Sequence, residues 1–195
     1  MILFRPVGLN ELALVYRTGM RAFPPRLPEQ PIFYPVLNRE YAEEIARQWN
    51  TKSESMAGYV TQFEIDDEYG SQFEPQQVGT RVHRELWVPA ESLGEFNTHI
   101  VGSIRLKAAH FGPEFVGSVP TQFLLRAKNA REQLEQLAAI REYSGMDFSC
   151  EIAANHEAVF VNFPFWQSQP RAAKLLEGIR QTWSRHFPNL PLGLD

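Results

Sequence analysis

Hydrophobic and polar positions follow two rhythms along this chain, and each change of rhythm marks an element boundary. Ile2–Arg5 is a short apolar run closed by Pro6 and Gly8, which predicts a buried first strand. Asn10 then offers a helix cap, Leu12, Val15 and Tyr16 share one helical face, and Gly19 follows as a C-cap. A second helix is predicted from Asn38, with Tyr41, Ala42, Ile45, Ala46 and Trp49 at helical spacing. From Gly58 to Ile65 the pattern alternates, placing Tyr59, Thr61, Phe63 and Ile65 on one side of a strand. A polar stretch, Asp66 to Thr80, leads to a strand over Val82–Val88 that Pro89 stops. A short helix over Ala90–Asn97 and a strand over Ile100–Ala108 complete this half.

Glycines and prolines between His110 and Pro120 mark a boundary. Beyond it Phe123, Ala127, Ala130, Leu134 and Leu137 form a helical stripe that Gly145 ends. Asp147–Ala154 and Ala158–Phe163 then read as two strands turning at Asn155-His156. Ser168 offers a cap for a last helix carrying Ala172, Leu175, Leu176, Ile179 and Trp183. The expected second unit, residues 118–195, is helix–hairpin–helix, packed on a first unit spanning 1–110.

The segment Ala22–Asn38 fits neither rhythm. It carries five prolines with Phe23, Ile32, Phe33 and Tyr34, too stiff for a helix or a central strand and too apolar for a solvated linker. An ordered loop on a scaffold is what remains, and such loops often carry binding residues.

Composition narrows the partners. Lys and Arg number 19 against 23 Asp and Glu, a net charge of −4 with no basic run, which disfavours nucleic acid. No apolar run reaches the ~20 residues of a membrane span, and the N-terminus lacks the cationic lead of a signal peptide. The single cysteine, Cys150, fits a reducing, cytoplasmic compartment, and a buried structural thiol is its simplest role. The histidines show no metal-ligand spacing, and no phosphate-binding or nucleophile-elbow motif is present.

Among candidate site residues, His83 and Glu85 stand two apart on one strand and therefore on one face, where carboxylate and imidazole can share acid–base work. A solvated polar face is the commoner reason for such a pair. Arg5 ends the first strand, where a guanidinium can grip a phosphate or carboxylate, although an ion pair is its commoner use. Arg26, stiffened by neighbouring prolines, is a ligand-contact candidate. Tyr34 and Phe33 can stack on a flat ligand or plug the core, and Trp49 and Trp87 read as core.

Several unusual strings carry a resemblance. LFRPVGLNELALVYRTG, FPPRLP, IFYPVLN, GYVTQFEI and HRELWVPAESLGEFNTHIVGSI resemble a small bacterial family that carries the label ADP-ribosylation/crystallin J1, over roughly residues 1–108. The ADP-ribosylglycohydrolases that label names hold paired magnesium ions with several acidic residues, a set not found here. In layout the same stretch is similar to ADP-ribosyltransferase folds: a strand ending in Arg, a helix, an aromatic loop, a helix with Ala42 and Ala46, and a later strand with a Glu. That resemblance implies an α+β fold with an ADP-ribosyltransferase-like mixed sheet and flanking helices, and NAD as cofactor without a metal. Arg5 would anchor phosphate or ribose; Arg26, singled out by its stiff surroundings, is a further candidate cofactor contact. Tyr34 would stack on nicotinamide, Glu85 would stabilise the ribosyl cation, and His83 would stand two residues before it. The middle strand departs from the pattern, reading Tyr59-Val60-Thr61 where that fold carries Ser-Thr-Ser. A nucleotide-type small molecule is thus one expected partner. A protein is the other, for a non-catalytic interaction or immunity-type module using Phe160, Phe163, Phe165 and Trp166 as contact surface.

Overall fold

The computed structural model describes residues 1–170 and 172–195, and it divides into two compact units, Met1–Gly112 with Asp195, and Pro113–Leu194. The first unit is α+β. Strand β1 (Ile2–Val7) is followed by helix α1 (Leu9–Arg17), the short strand β2 (Ile32–Phe33) and helix α2 (Arg39–Gln48). Strand β3 (Ala57–Ile65), the single turn α3 (Asp67–Gly70), and short strands β4 (Gln76–Gln77), β5 (Arg84–Glu85) and β6 (Val88–Pro89) come next. Helix α4 (Leu93–Thr98) and the long strand β7 (Ile100–Phe111) complete it.

The central sheet has the order β1-β3-β7 with both pairings antiparallel, so the expected mixed sheet is corrected to an antiparallel one. Connection length does not decide this, since the chain between β1 and β3 and between β3 and β7 is long enough for a parallel crossover; the antiparallel register of both pairs does. The expected strand over Val82–Val88 breaks into β5 and β6, which pair with β4 and β2 respectively.

Apolar residues cover both faces of the sheet. On one face α2 lays Ala42 and Ala46 against Val36 and Val60, with Phe4, Tyr41, Ile45 and Ala108 around them. On the other, Leu3, Arg5 and Val7 alternate out of β1 toward an aromatic core in which Phe23 lies 5.0 Å from Phe33 and 4.9 Å from Phe63.

The proline segment does one thing its composition argued against. Val36 forms antiparallel bridges with both Phe4 and Glu85, extending the sheet beyond β1 by a one-residue strand and then by β5. Hydrogen-bond alternation makes room for Pro35. Val36 exchanges both its backbone bonds with Phe4, while toward β5 the segment uses the Pro35 carbonyl and the Leu37 N–H. The donor that Pro35 lacks is never needed.

Among its described residues the second unit has helices and no strand: α5 (Ala130–Tyr143), α6 (Gly145–Ala154), α7 (His156–Gln167) and α8 (Ala173–His186), after a 3-10 turn at Phe123–Leu125. The expected hairpin is therefore wrong, since both of its strands are helices. Ser144 caps α6 by accepting from the Asp147 N–H, and Asn155 is the junction between α6 and α7. Helix α7 is buried on all sides, from Ala158 through Pro164 and at Trp166, so it has no polar face to mark a helical period. Helix α5 begins at a capping box, Asn129 with Glu132, later than the Phe123 stripe suggested.

Candidate functional site

The five residues singled out in the sequence fall on one connected set of contacts in the first unit, with two unlike ends. At one end, Arg5 is nine-tenths buried, and Nε and Nη2 donate to the two Glu11 carboxylate oxygens at 3.0 and 3.2 Å. Nη1 donates to the Tyr34 carbonyl at 3.2 Å, and the guanidinium lies 5.0 Å from the Phe33 ring centroid. The fork is thus closed by a carboxylate from the first turn of α1. Arg26 donates through Nε to the Ile32 carbonyl. Burial and the neighbouring Arg5 charge hold the Arg26 guanidinium below its ordinary range, against the opposing pull of Glu11 and Tyr34.

At the other end, Glu85 is buried on β5, and its Oε1 accepts the Trp87 indole N–H at 2.8 Å. The Tyr41 side chain of α2 lies close to both Glu85 and Glu44. Burial, then the charges of Glu85 and Glu44, raise the Tyr41 phenol above its ordinary range, so it stays a protonated donor. His83 stacks on Tyr41 with centroids 4.5 Å apart and meets Glu44 through Nε2 at 3.1 Å. Its Nδ1 accepts from the Thr80 N–H, which places the ring proton on Nε2, facing Glu44. His83 and Glu85 therefore share Tyr41 as a neighbour. Tyr34 links the two ends, with its ring edge-on to Trp87 at 6.3 Å.

Strand register decides what these ends can do together. Phe4, Val36 and Glu85 are paired across three strands and so point to the same face, the one that α2 covers. Arg5 is next to Phe4 in β1 and points to the opposite face. The anchor and the carboxylate of the expected site are separated by the sheet itself. No family model, curated protein or solved structure matches the chain. The site is accordingly read from its geometry alone.

Several further residues of this network escaped the sequence reading. Glu11 lies six positions after Arg5, a spacing open to many pairings. Trp87 and Trp49, expected in the core, are 47% and 55% exposed. For Trp87 a signal existed: it stands two residues after Glu85, where side chains of an extended segment share a side. Among the described residues no group of three or more His, Cys, Asp or Glu is placed to hold a metal, and no helix is long and apolar enough to cross a membrane.

The contact surface expected in the second unit is mostly core. Phe160, Phe163 and Trp166 are buried, Phe165 is half-buried, and the Trp166 indole donates to the Ala130 carbonyl at 2.6 Å. Cys150, expected to be buried, is exposed on α6. A groove of about 560 Å³ has Leu134 and Ala138 of α5 and Leu175 of α8 in its lining.

One further imidazole bears on the α2 face. His110 pairs with Gly58 across β3 and β7, and its Nε2 is buried without a hydrogen-bond partner. Burial holds it below the ordinary imidazole value, with Glu43 pulling it up and Arg47 pushing it down. The unfolded chain then binds this proton more readily than the folded one. The stability contributed by neutral His110 is complete above about pH 6.5 and is lost as pH falls from there through the lowered folded value. Urea midpoints measured across that window should fall toward acid pH more steeply in the wild type than in His110→Leu. Equal slopes would remove the assignment.

Proposed function

We propose that the first unit is a degenerate relative of the ADP-ribosyltransferase layout, a recognition module that binds without transferring. The observation that carries this reading is the closed Arg5–Glu11 fork on the face of the sheet opposite Glu85. Transfer from NAD by that layout needs a cation that grips the pyrophosphate and a carboxylate facing the ribosyl carbon from the same cleft. Here the cation is already neutralised and turned away. Tyr59-Val60-Thr61 in place of Ser-Thr-Ser supports the same reading, since Tyr59 is fully buried and Thr61 donates to the Arg5 carbonyl at 2.8 Å.

The reading is tested by thermal denaturation with NAD. A ligand present at 100 times its Kd adds about 2.7 kcal/mol, a shift of several degrees for a domain of this size. The melting temperature should stay constant up to millimolar NAD, and no nicotinamide should be released. A saturable rise that Glu85→Gln abolishes would restore the transferase reading.

A further inference from the structure

We propose that Glu85, Trp87 and Tyr34 form a receptor for one organic cation, a guanidinium or alkylammonium group. The proposal rests on the recognition reading, in which the bound group is held and not consumed.

Glu85 is 8% exposed, and withdrawing a carboxylate from water is costly unless charge or hydrogen bonds compensate. Its hydrogen-bond partner, the Trp87 indole, is neutral, and so is the nearby Tyr41 phenol. Among the described residues no Lys, Arg or His pairs with it, although a carboxylate offers about four lone-pair sites. A negative charge is thus built into the α2 face with accepting capacity left over.

The aromatic side of the site fits the same ligand. Trp87 is 47% exposed, with its one polar atom already engaged on Glu85. What it can offer a ligand is its ring face, which attracts cations more strongly than that of any other side chain. Tyr34, edge-on at 6.3 Å, braces the indole, and the hydrogen bond to Glu85 fixes its rotation. A carboxylate beside an indole face is matched by a cation that can both donate hydrogen bonds and lie against a π system. Guanidinium does both, and an alkylammonium nearly as well. A hard metal ion is not matched, because it takes six or more oxygen ligands and the site offers one carboxylate. Glu44 adds negative charge on the Tyr41 side of the site, whereas Arg26 adds positive charge near Tyr34, which favours a cation seated toward Glu85.

The cation can be a free small molecule or an arginine or lysine side chain of a partner protein. The test follows the Trp87 indole N–H resonance of the full isotope-labelled chain, identified by its loss in Trp87→Phe. Four probes are titrated: methylguanidinium, a capped Gly-Arg-Gly peptide, its neutral citrulline counterpart, and sodium chloride at matched ionic strength. A saturable shift is expected with both guanidinium probes and with neither control. Half-saturation about tenfold lower for the peptide assigns the site to a protein side chain, and equal values assign it to a free cation. Glu85→Gln should weaken binding about tenfold, as loss of a charge-assisted bond predicts, while the indole signals of Trp49, Trp166 and Trp183 report an intact fold. If that variant does not fold, Tyr34→Leu serves, with weaker binding expected.

Identical linear drifts for the arginine and citrulline peptides, or unchanged half-saturation in both variants, overturn the receptor. NAD separates the two proposals, because release of nicotinamide reports a reaction and not the holding of a cation. Stabilisation by NAD with nicotinamide release would end the recognition reading and leave the receptor standing. No response to any cation, with no response to NAD, would do the reverse.

Discussion

Gly58→Val unfolds the first unit at denaturant concentrations that leave the wild type native. Gly58 lies at the start of β3, where α2 crosses the sheet. A Cβ built there meets the Ala46 carbonyl oxygen head-on and comes within 2.7 Å of its carbon and 2.8 Å of the Ala46 Cα. These obstacles are helix backbone, which cannot rotate away as a side chain can. The helix must lift, and it packs this closely because Ala42 and Ala46, both fully buried, carry the smallest side chains that still favour a helix. Lifting α2 uncovers Phe4, Val36 and Val60 and draws Tyr41 away from Glu85.

Overpacking alone costs about 1–3 kcal/mol, and displacing a helix axis adds lost burial, so the expected loss is about 4 kcal/mol. That is a large share of the ~5–15 kcal/mol by which a domain is stable. Urea unfolding followed by circular dichroism should show the midpoint falling with little change in slope. A loss below about 1 kcal/mol would mean that α2 does not rest on this glycine.

Glu11→Leu should cost about 3 kcal/mol, and Arg5→Met in the same chain should recover most of that loss. Glu11 meets Arg5 through both carboxylate oxygens, and Arg5 is 9% exposed. Removing Glu11 leaves a buried guanidinium with the Tyr34 carbonyl and the Phe33 ring face, neither of which carries a formal charge. Breaking one partner of a buried pair costs about 3–5 kcal/mol, and the lower end applies because the Glu11 side chain keeps 22% of its exposure. Replacing both partners by apolar groups of similar volume removes the uncompensated charge along with the attraction. A double-mutant cycle of urea midpoints gives the coupling. This pair also bears on function. If Glu11→Leu were neutral, Arg5 would not be tied to it, and a guanidinium free to grip a ligand would return as a reading.

Much of the first unit is legible in the sequence, because its elements keep their period: α2 has one wet side and one dry side, and β3 alternates its large side chains with smaller or polar ones. In β3, Tyr59, Phe63 and Ile65 alternate as read. In α2 the stripe of Ala42 and Ala46 falls at helical spacing and lies on the sheet. The second unit fails where that asymmetry is lost. Helix α7 has no wet side, and short apolar runs bounded by polar residues look alike in a strand and in a buried helix. The cap that would have separated them, Ser144 accepting from the Asp147 N–H, lies just ahead of a segment already read as a strand.

The candidate site divides in the same way. Arg5, Arg26, Tyr34, His83 and Glu85 are recognisable as unusual residues in stiff or extended places, and they do fall on one contact network. Their residue types, spacing and local stiffness come from the sequence, because these depend on a few neighbouring positions. Which face of the sheet each side chain occupies, that Glu11 closes the Arg5 fork, and that Trp87 stands half in solvent with its N–H on Glu85 were decided by the tertiary structure. Those facts depend on register across Phe4, Val36 and Glu85, three strands far apart in the chain. A shift of one residue in that pairing turns a side chain to the other face, and local pattern does not set the pairing of a one-residue strand.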